Sequence, residues 1–296
     1  MAKSKHYKKK VTGGDIFIIT IMVILAALCI LPLLHVIAVS FSSPDALMRG
    51  EIGIWPVGFQ LEAYGDIIND GRFLRSLIWT AFLTVIVVAI NLFMTVMAAY
   101  PLTYSSLKGR KFITFYFIFT MMFGAGLIPG FILNRSLGLI NNPLVLIIPG
   151  SLSIFNLIIM RNFFLGIPES LKESAEIDGA SPMVILFKIF VPLSLPSFAT
   201  IGLWVAVGRW NGFQDALFFL PGASEWHPVQ LLLYHILQQN TTVDVADPGA
   251  ASAMAPGWGR ILERASIVVA LAPILCVYPF IQKYFVKGAT LGAVKG

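Results

Sequence analysis

The segment DIFIITIMVILAALCILPLLHVIAVSF, running from Asp15 to Phe41, decides what kind of protein this is. Between Ile16 and Val39 it contains no Asp, Glu, Lys or Arg. A helix rises 1.5 Å per residue, so about 20 such residues cross the ~30 Å hydrocarbon core of a bilayer. Directly before it stand Lys3, Lys5, Lys8, Lys9 and Lys10, a cytoplasmic flank by the usual distribution of positive charge. A signal peptide has a similar order of features, but this apolar run is too long for an h-region and no small-residue cleavage site follows it.

The rest of the chain agrees. Of 296 residues, 57% are hydrophobic and 12% charged, and the mean hydropathy is +0.82. Soluble domains average about 25% charged residues, so this chain has too little charge to cover a water-facing surface. The 23 Phe residues exclude disorder. The net charge of +6 does not mark a nucleic-acid surface, because much of it is concentrated at the amino terminus. Cys29 and Cys276 both lie in apolar segments and supply neither a disulfide framework nor a metal cluster.

Six stretches reach spanning length: 15–41, 73–99, 112–134, 143–164, 194–220 and 266–286. Backbone groups in lipid must be satisfied within the segment, and no ten-residue alternation of the β-barrel kind occurs, so the expected fold is all-α with six transmembrane helices. With the amino terminus inside, fourteen Lys and Arg fall on the inner side and six on the outer, leaving Arg209 within span 5. This bias places both termini in the cytoplasm. The layout is then a basic amino terminus (1–14), span 1, and a permease-like core over 73–286. That core includes an inner loop at 165–192 and a long outer loop at 221–264, and a cytoplasmic tail (287–296) follows it. An outer loop at 42–72 carries Trp55-Pro56 and reads as short and packed. The Pro228–Gln238 portion of the long outer loop is apolar enough to form a helix.

The inner loop carries the strongest signal. From Pro168 it reads PESLKESAEIDGASPMVILFKIFVPLSLP. Ser170 with Glu173 three residues on has the form of a capping box, which predicts a short helix. Gly179 is placed to end it in a left-handed conformation, and Ser181-Pro182 to start a second helix. Pro192 and Pro196 are expected to stop that second helix. The small residues Ala175, Gly179 and Ala180 would let a partner approach closely. The plain reading of such a segment is an amphipathic loop lying on the membrane surface.

This arrangement resembles the EAA motif of ABC-importer permeases, the loop that docks into the ATPase subunit. Glu173, Ala175, Asp178, Gly179, Ala180, Phe187, Ile189 and Pro192 stand where that motif has its characteristic residues, and Ser174 replaces its second alanine. Trp210-Asn211, the Trp226–Leu231 run and the closing 287–296 segment further resemble carbohydrate-uptake permeases. They look most like the LplC-type branch, to which the shorter permease of an alginate importer belongs. The likeness covers about 74–296. It implies a permease forming half of a translocation pathway, in a heterodimer with a second permease. Its other partners would be two ATPase subunits at the cytoplasmic face, a solute-binding protein at the outer face and the lipid of the cytoplasmic (inner) membrane. Alginate or another acidic polysaccharide fragment is the implied cargo.

No G-x-x-x-x-G-K-[ST] loop is present, so ATP and Mg would belong to the partner ATPase, with no cofactor in this chain. Glu173, Ala175, Asp178, Gly179 and Ala180 would form the ATPase-coupling site. Gly292, Lys295 and Gly296, with Gly288, would let the tail approach the ATPase dimer. For the sugar pathway, Asn156 and Ser153 share a face with Pro149 in span 4, as do Thr84, Asn91 and Thr95 in span 2. Polar groups in spans also simply hold helices together. Arg209 is costly inside a span, and faces an outer cavity with Trp204, Trp210 and Asn211, snorkels, or pairs with Asp215. Trp226, His227, Tyr234, His235 and Trp258 suit either a docking surface or an interfacial belt. His35 reads as a hydrogen-bonded bundle residue. An intramembrane enzyme would want paired carboxylates or a nucleophile and base at membrane depth, which the spans lack. A secondary transporter would fit the hydropathy but leave the cytoplasmic helix pair unexplained.

Overall fold

The computed structural model describes the backbone of residues 13–246 and 257–293, and side chains over 13–238 and 257–277. Every regular element among them is a helix. The chain divides into two compact units, one of 1–67 with 237–269 and the other of 68–236 with 270–296.

In the first unit, α1 (Gly13–Ser40) is a 28-residue apolar rod whose side chains are almost all exposed until its last turn. There the chain turns into a packed loop. Ser42 Oγ donates to the Ala38 carbonyl at 2.7 Å and accepts from the Val57 amide at 3.0 Å. Phe41 stacks between Phe59 and Tyr64, with ring centroids 5.5 and 4.8 Å away. The short helices α2 (Pro44–Met48) and α3 (Glu62–Asn69) complete this loop. His35 is tied to it through Nδ1, 2.8 Å from the Gly53 carbonyl oxygen.

The second unit opens with α4 (Gly71–Ala99), capped by Asp70 and continued by a 3₁₀ turn at Pro101–Thr103. Its 71–103 stretch and α1 are each long and apolar enough to cross a membrane as one helix. The 112–134 stretch, expected as one span, is instead two helices. Helix α5 (Arg110–Met122) and α6 (Leu127–Ser136) meet at a 114° bend. Gly126 takes φ +84° at the break, a conformation open only to glycine at little cost, and Pro129 falls in the first turn of α6, where its missing N–H is no loss.

The 143–164 stretch also differs from expectation. It begins as a 3₁₀ turn (Pro143–Leu146), and α7 (Ile154–Leu165) starts only at the cap Ser153. Pro149 and Ser153 therefore precede the helix and share no helical face with Asn156. After α7 the chain bends by 74° into α8 (Glu169–Ile177). Next come α9 (Pro182–Ile185), a π-helical turn at Leu186–Phe190 and α10 (Val191–Leu193), then a 79° bend into α11 (Leu195–Asn211). The run ends at Leu193, between Pro192 and Pro196, as the sequence suggests, and the wide π turn before Pro192 accommodates its ring for the last turn.

Span 5, expected over 194–220, ends its main helix at Asn211, and a separate α12 (Gln214–Phe219) follows. The outer loop folds into a 3₁₀ turn (Ser224–Trp226) and α13 (Val229–Ala246). The last helix, α14 (Trp258–Ala293), starts before and ends beyond the expected 266–286. It takes in Glu263, which is 6% exposed and lies 3.0 Å from Arg264. The expected tail is helical through Ala293, while Lys295 and Gly296 lie outside the described residues.

Candidate functional site: a polar cavity and a bent helix pair

Two places in the second unit gather the residues singled out by sequence. The first is a cavity of about 370 Å³ between α4, α7, α11 and α12. Asn91 of α4 is its structural hub. Its Nδ2 donates to the Gly150 carbonyl at 3.0 Å, and its Oδ1 accepts from Asn156 Nδ2 at 3.2 Å. Ser153 caps α7 by accepting from the Asn156 amide at 3.4 Å. Asn156 is 5% exposed and Asn91 2%, so both hold the wall together as well as lining it. Thr84 and Thr95 do not reach the cavity lining. They bond within α4, to the Thr80 carbonyl and to Asn91.

Arg209 lines the same cavity while only 9% exposed. Its Nη1 donates to the Leu146 carbonyl at 2.9 Å and lies 3.5 Å from Asp215 Oδ2. Its Nε is buried without a hydrogen-bond partner among the described residues. A guanidinium withdrawn from water in this way is held by fixed partners and does not snorkel. Asp215 is 57% exposed at its side chain, so this counter-ion faces the opening. Trp204 also lines the cavity and stacks on Phe155, with centroids 5.6 Å apart.

Trp210 and Asn211 do not belong to this cavity. Trp210 is 7% exposed and its Nε1 donates to the Ala270 carbonyl at 3.2 Å. Asn211 bonds back to the Val207 carbonyl of its own helix at 2.9 Å. Helical rotation explains both, since residues one and two beyond Arg209 point about 100° and 200° away from it. Phe155 was missed by sequence. Its partner Trp204 lies 49 positions on, so no local pattern pairs them.

The second place is the helix pair after α7. The Ser170/Glu173 capping box does not form: α8 starts at Glu169, with Pro168 as its cap residue and no side-chain capping bond. The ending is as the sequence suggests. Gly179 adopts φ +78°, its amide bonds to the Glu176 carbonyl at 3.1 Å, and the Ala180 amide bonds to the Ala175 carbonyl at 2.9 Å. This pair of bonds satisfies the last carbonyls of α8. Ser181 caps α9 by position, again without a side-chain bond, and Pro182 follows at the first helical position.

The two faces of α8 differ. Glu173, Ile177, Asp178 and Gly179 are exposed, with Ile177 at 86%. Ala175 and Ala180 instead pack against a core of Tyr100, Leu157, Met160, Phe164, Leu186 and Phe190. Both are only partly buried, and their small size lets α8 sit close on this core. Three of the outer-loop aromatic positions, each half-buried, make contacts within the unit. Trp79 Nε1 donates to the Trp226 carbonyl at 2.8 Å, His227 Nε2 lies 2.8 Å from the Leu220 carbonyl oxygen, and Tyr234 stacks on Phe213 at 5.0 Å.

The cavity and the exposed α8 face lie toward opposite ends of α7, and comparison with known proteins gives the family to which they belong. The family model for the inner membrane component of binding-protein-dependent transport systems matches residues 72–290. The chain belongs to this family. It is 42% identical over 95% of its length to the polygalacturonan/rhamnogalacturonan transport system permease YtcP of Bacillus subtilis, covering 98% of that protein. It is 40% identical over 91% of its length to Protein LplC of the same organism, covering 90% of it. Its fold matches a chain in the crystal structure of a bacterial ABC transporter that imports the acidic polysaccharide alginate. That match has a TM-score of 0.84 at 35% identity, and covers 94% of this chain and 100% of the other.

Members of this family are membrane-embedded permease subunits of ATP-driven importers, and the ATPase is a separate chain. The chain is accordingly a transport subunit, and the secondary-transporter and intramembrane-enzyme readings fall away. An importer of this class brings together a partner permease, an ATPase and a solute-binding protein.

Proposed function

We propose that this permease carries acidic oligosaccharides, alginate or pectin-like uronate fragments, through a pathway that includes the Arg209 cavity. The observation that carries the reading is the buried Arg209 guanidinium in a cavity wall beside the Phe155–Trp204 stack. An aromatic face suits the apolar face of a sugar ring, and a guanidinium suits its carboxylate. The relatives named for polygalacturonan and alginate support the same cargo class. Asp215 holds Arg209 through an exposed carboxylate, so an incoming uronate can take its place without burying an unpaired charge.

The chain crosses the inner membrane six times with both termini in the cytoplasm, the arrangement that its Lys and Arg distribution favours. It pairs with a second permease as a heterodimer, and two ATPase subunits carrying ATP and Mg bind below. The exposed α8 face, through Glu173, Asp178 and Gly179, enters the ATPase, where Glu173 meets an Arg of that subunit. A solute-binding protein delivers the cargo at the outer face. The closing segment with Gly292, Lys295 and Gly296 adds a second contact to the ATPase dimer.

The test is uptake by proteoliposomes holding both permeases, the ATPase and the binding protein, supplied with oligogalacturonate, oligoalginate or a neutral oligosaccharide. Uptake of an acidic oligosaccharide in preference to the neutral one is expected. Equal or faster uptake of the neutral sugar would remove the acidic-cargo assignment. Reporter fusions at each terminus test the orientation.

A further inference from the structure

Helix α8 meets the membrane helices along one face, where Ala175 packs on the Tyr100–Phe164 core. Its outward face is exposed, and short turns at Gly166–Pro168 and Asp178–Ser181 connect it to its neighbours along the chain. On its inward face, Lys172 Nζ lies 3.7 Å from the centroid of the Tyr104 ring. The same ammonium is 3.8 Å from the carboxylate of Glu176, one turn further along α8. Only 17% of the Lys172 side chain is exposed, so the cation is partly withdrawn from water, where its attraction to a ring face is stronger. The contact continues inward. The hydroxyls of Tyr104 and Tyr100 share a hydrogen bond of 2.6 Å. Tyr100 caps α4 and meets Phe190 edge-on at 5.1 Å.

An unbroken series of side-chain contacts therefore runs from α8 through Lys172, Tyr104 and Tyr100 into the end of α4. Nine residues back along α4, about 14 Å at 1.5 Å per residue, stands Asn91, which fixes the cavity wall. We propose that Lys172 and Tyr104 are positioning residues of the transport cycle, transmitting displacement of α8 to the end of α4. The inference rests on α8 being the element that the ATPase moves. A rigid helix hinged at both ends transmits motion through what it grips, and beside the apolar packing of Ala175 the Lys172–Tyr104 contact is the directional grip on a helix that lines the cavity. Neither residue touches cargo or nucleotide in this role.

The experiment uses the full complex in proteoliposomes and reads three quantities: ATPase retained on purification, ATP hydrolysis stimulated by the binding protein, and sugar imported per ATP. Lys172→Met keeps the apolar stem and removes the cation, and Tyr104→Leu removes the ring. Each is expected to lower sugar imported per ATP by about two- to five-fold, the equivalent of one cation–π contact, with the ATPase still bound. The double variant should be no worse than the poorer single, because the two residues act as one contact. Lys172→Arg should restore the wild-type ratio. Wild-type ratios in both single variants, additive losses in the double, failure of Lys172→Arg to rescue, or release of the ATPase by Lys172→Met would each overturn the proposal. Glu173→Ala, read in parallel, separates the two levels. If it keeps both the bound ATPase and uptake, the docking of α8 fails; if it loses them while Lys172→Met is unaffected, only the transmission role fails.

Discussion

At its amino end α7 offers Ser153, Phe155 and Asn156 to a polar cavity, whereas at its carboxy end Met160 and Phe164 are 0% and 1% exposed in an apolar core. The two neighbourhoods belong to one 12-residue helix, yet they are built on different principles. The cavity end is held by hydrogen bonds from Asn91 and Asn156, directional links that leave space between the helices. The core end is held by close packing of rings, Tyr100, Phe164 and Phe190 lying edge-on to one another. Close packing resists deformation, so this end can seat α8 rigidly. The difference teaches where the permease can yield around a cargo and where it must stay stiff to be driven.

Five substitutions press on that contrast. Phe164→Ala should be the most damaging, costing about 3–5 kcal/mol of stability as a cavity opens in the packed end. Phe155→Ala, at the cavity end, should stay within about 0.5 kcal/mol of wild type and reduce only sugar uptake. Thermal unfolding in detergent measures both, and equal losses would break the contrast. Arg209→Gln comes next. Loss of a charge-assisted contact of about 1.5–3 kcal/mol should lower uptake of an acidic oligosaccharide by roughly ten-fold or more while a neutral one changes little. Gly179→Ala forces a side chain into a left-handed conformation at about 1–2 kcal/mol, and should weaken ATPase retention without altering the cavity's preference for charge. Smallest in its effect on transport is Trp210→Phe, which gives up one hydrogen bond to Ala270, worth about 1 kcal/mol of stability, and should leave uptake selectivity unchanged. Altered selectivity in that variant would return Trp210 to the cargo path.

Much of the second place was legible before any fold was known. Gly179 ends α8 by the rule that only glycine enters the left-handed region cheaply, and this rule needs only the local sequence. The capping box at Ser170 and Glu173 was also a local inference, and it failed because the chain leaves α7 through Gly166–Pro168 and starts the helix at Glu169. The cavity was legible only in part. Arg209 and Asn156 stood out as polar residues in apolar segments, but Trp210 and Asn211 were grouped with Arg209 by adjacency, and a helix turns adjacent residues away from one another. Phe155 owes its place to the packing of α7 against α11, and Asp215 to that of α12 against the Pro143–Leu146 turn and α6.

The sequence alone determined that this chain lives in a membrane, that it is helical, and that it carries two short helices joined at Gly179 on the 165–192 segment. These follow from composition, from the need to satisfy backbone groups in lipid, and from glycine and proline chemistry, all of which act over a few residues. Only the tertiary structure decided that the 112–134 stretch folds in two, and that Ala175 and Ala180 face inward. It also placed Arg209 between the Leu146 carbonyl and Asp215. Those outcomes depend on which surfaces meet across long stretches of chain, and burial and hydrogen bonding are settled by partners that no local window contains.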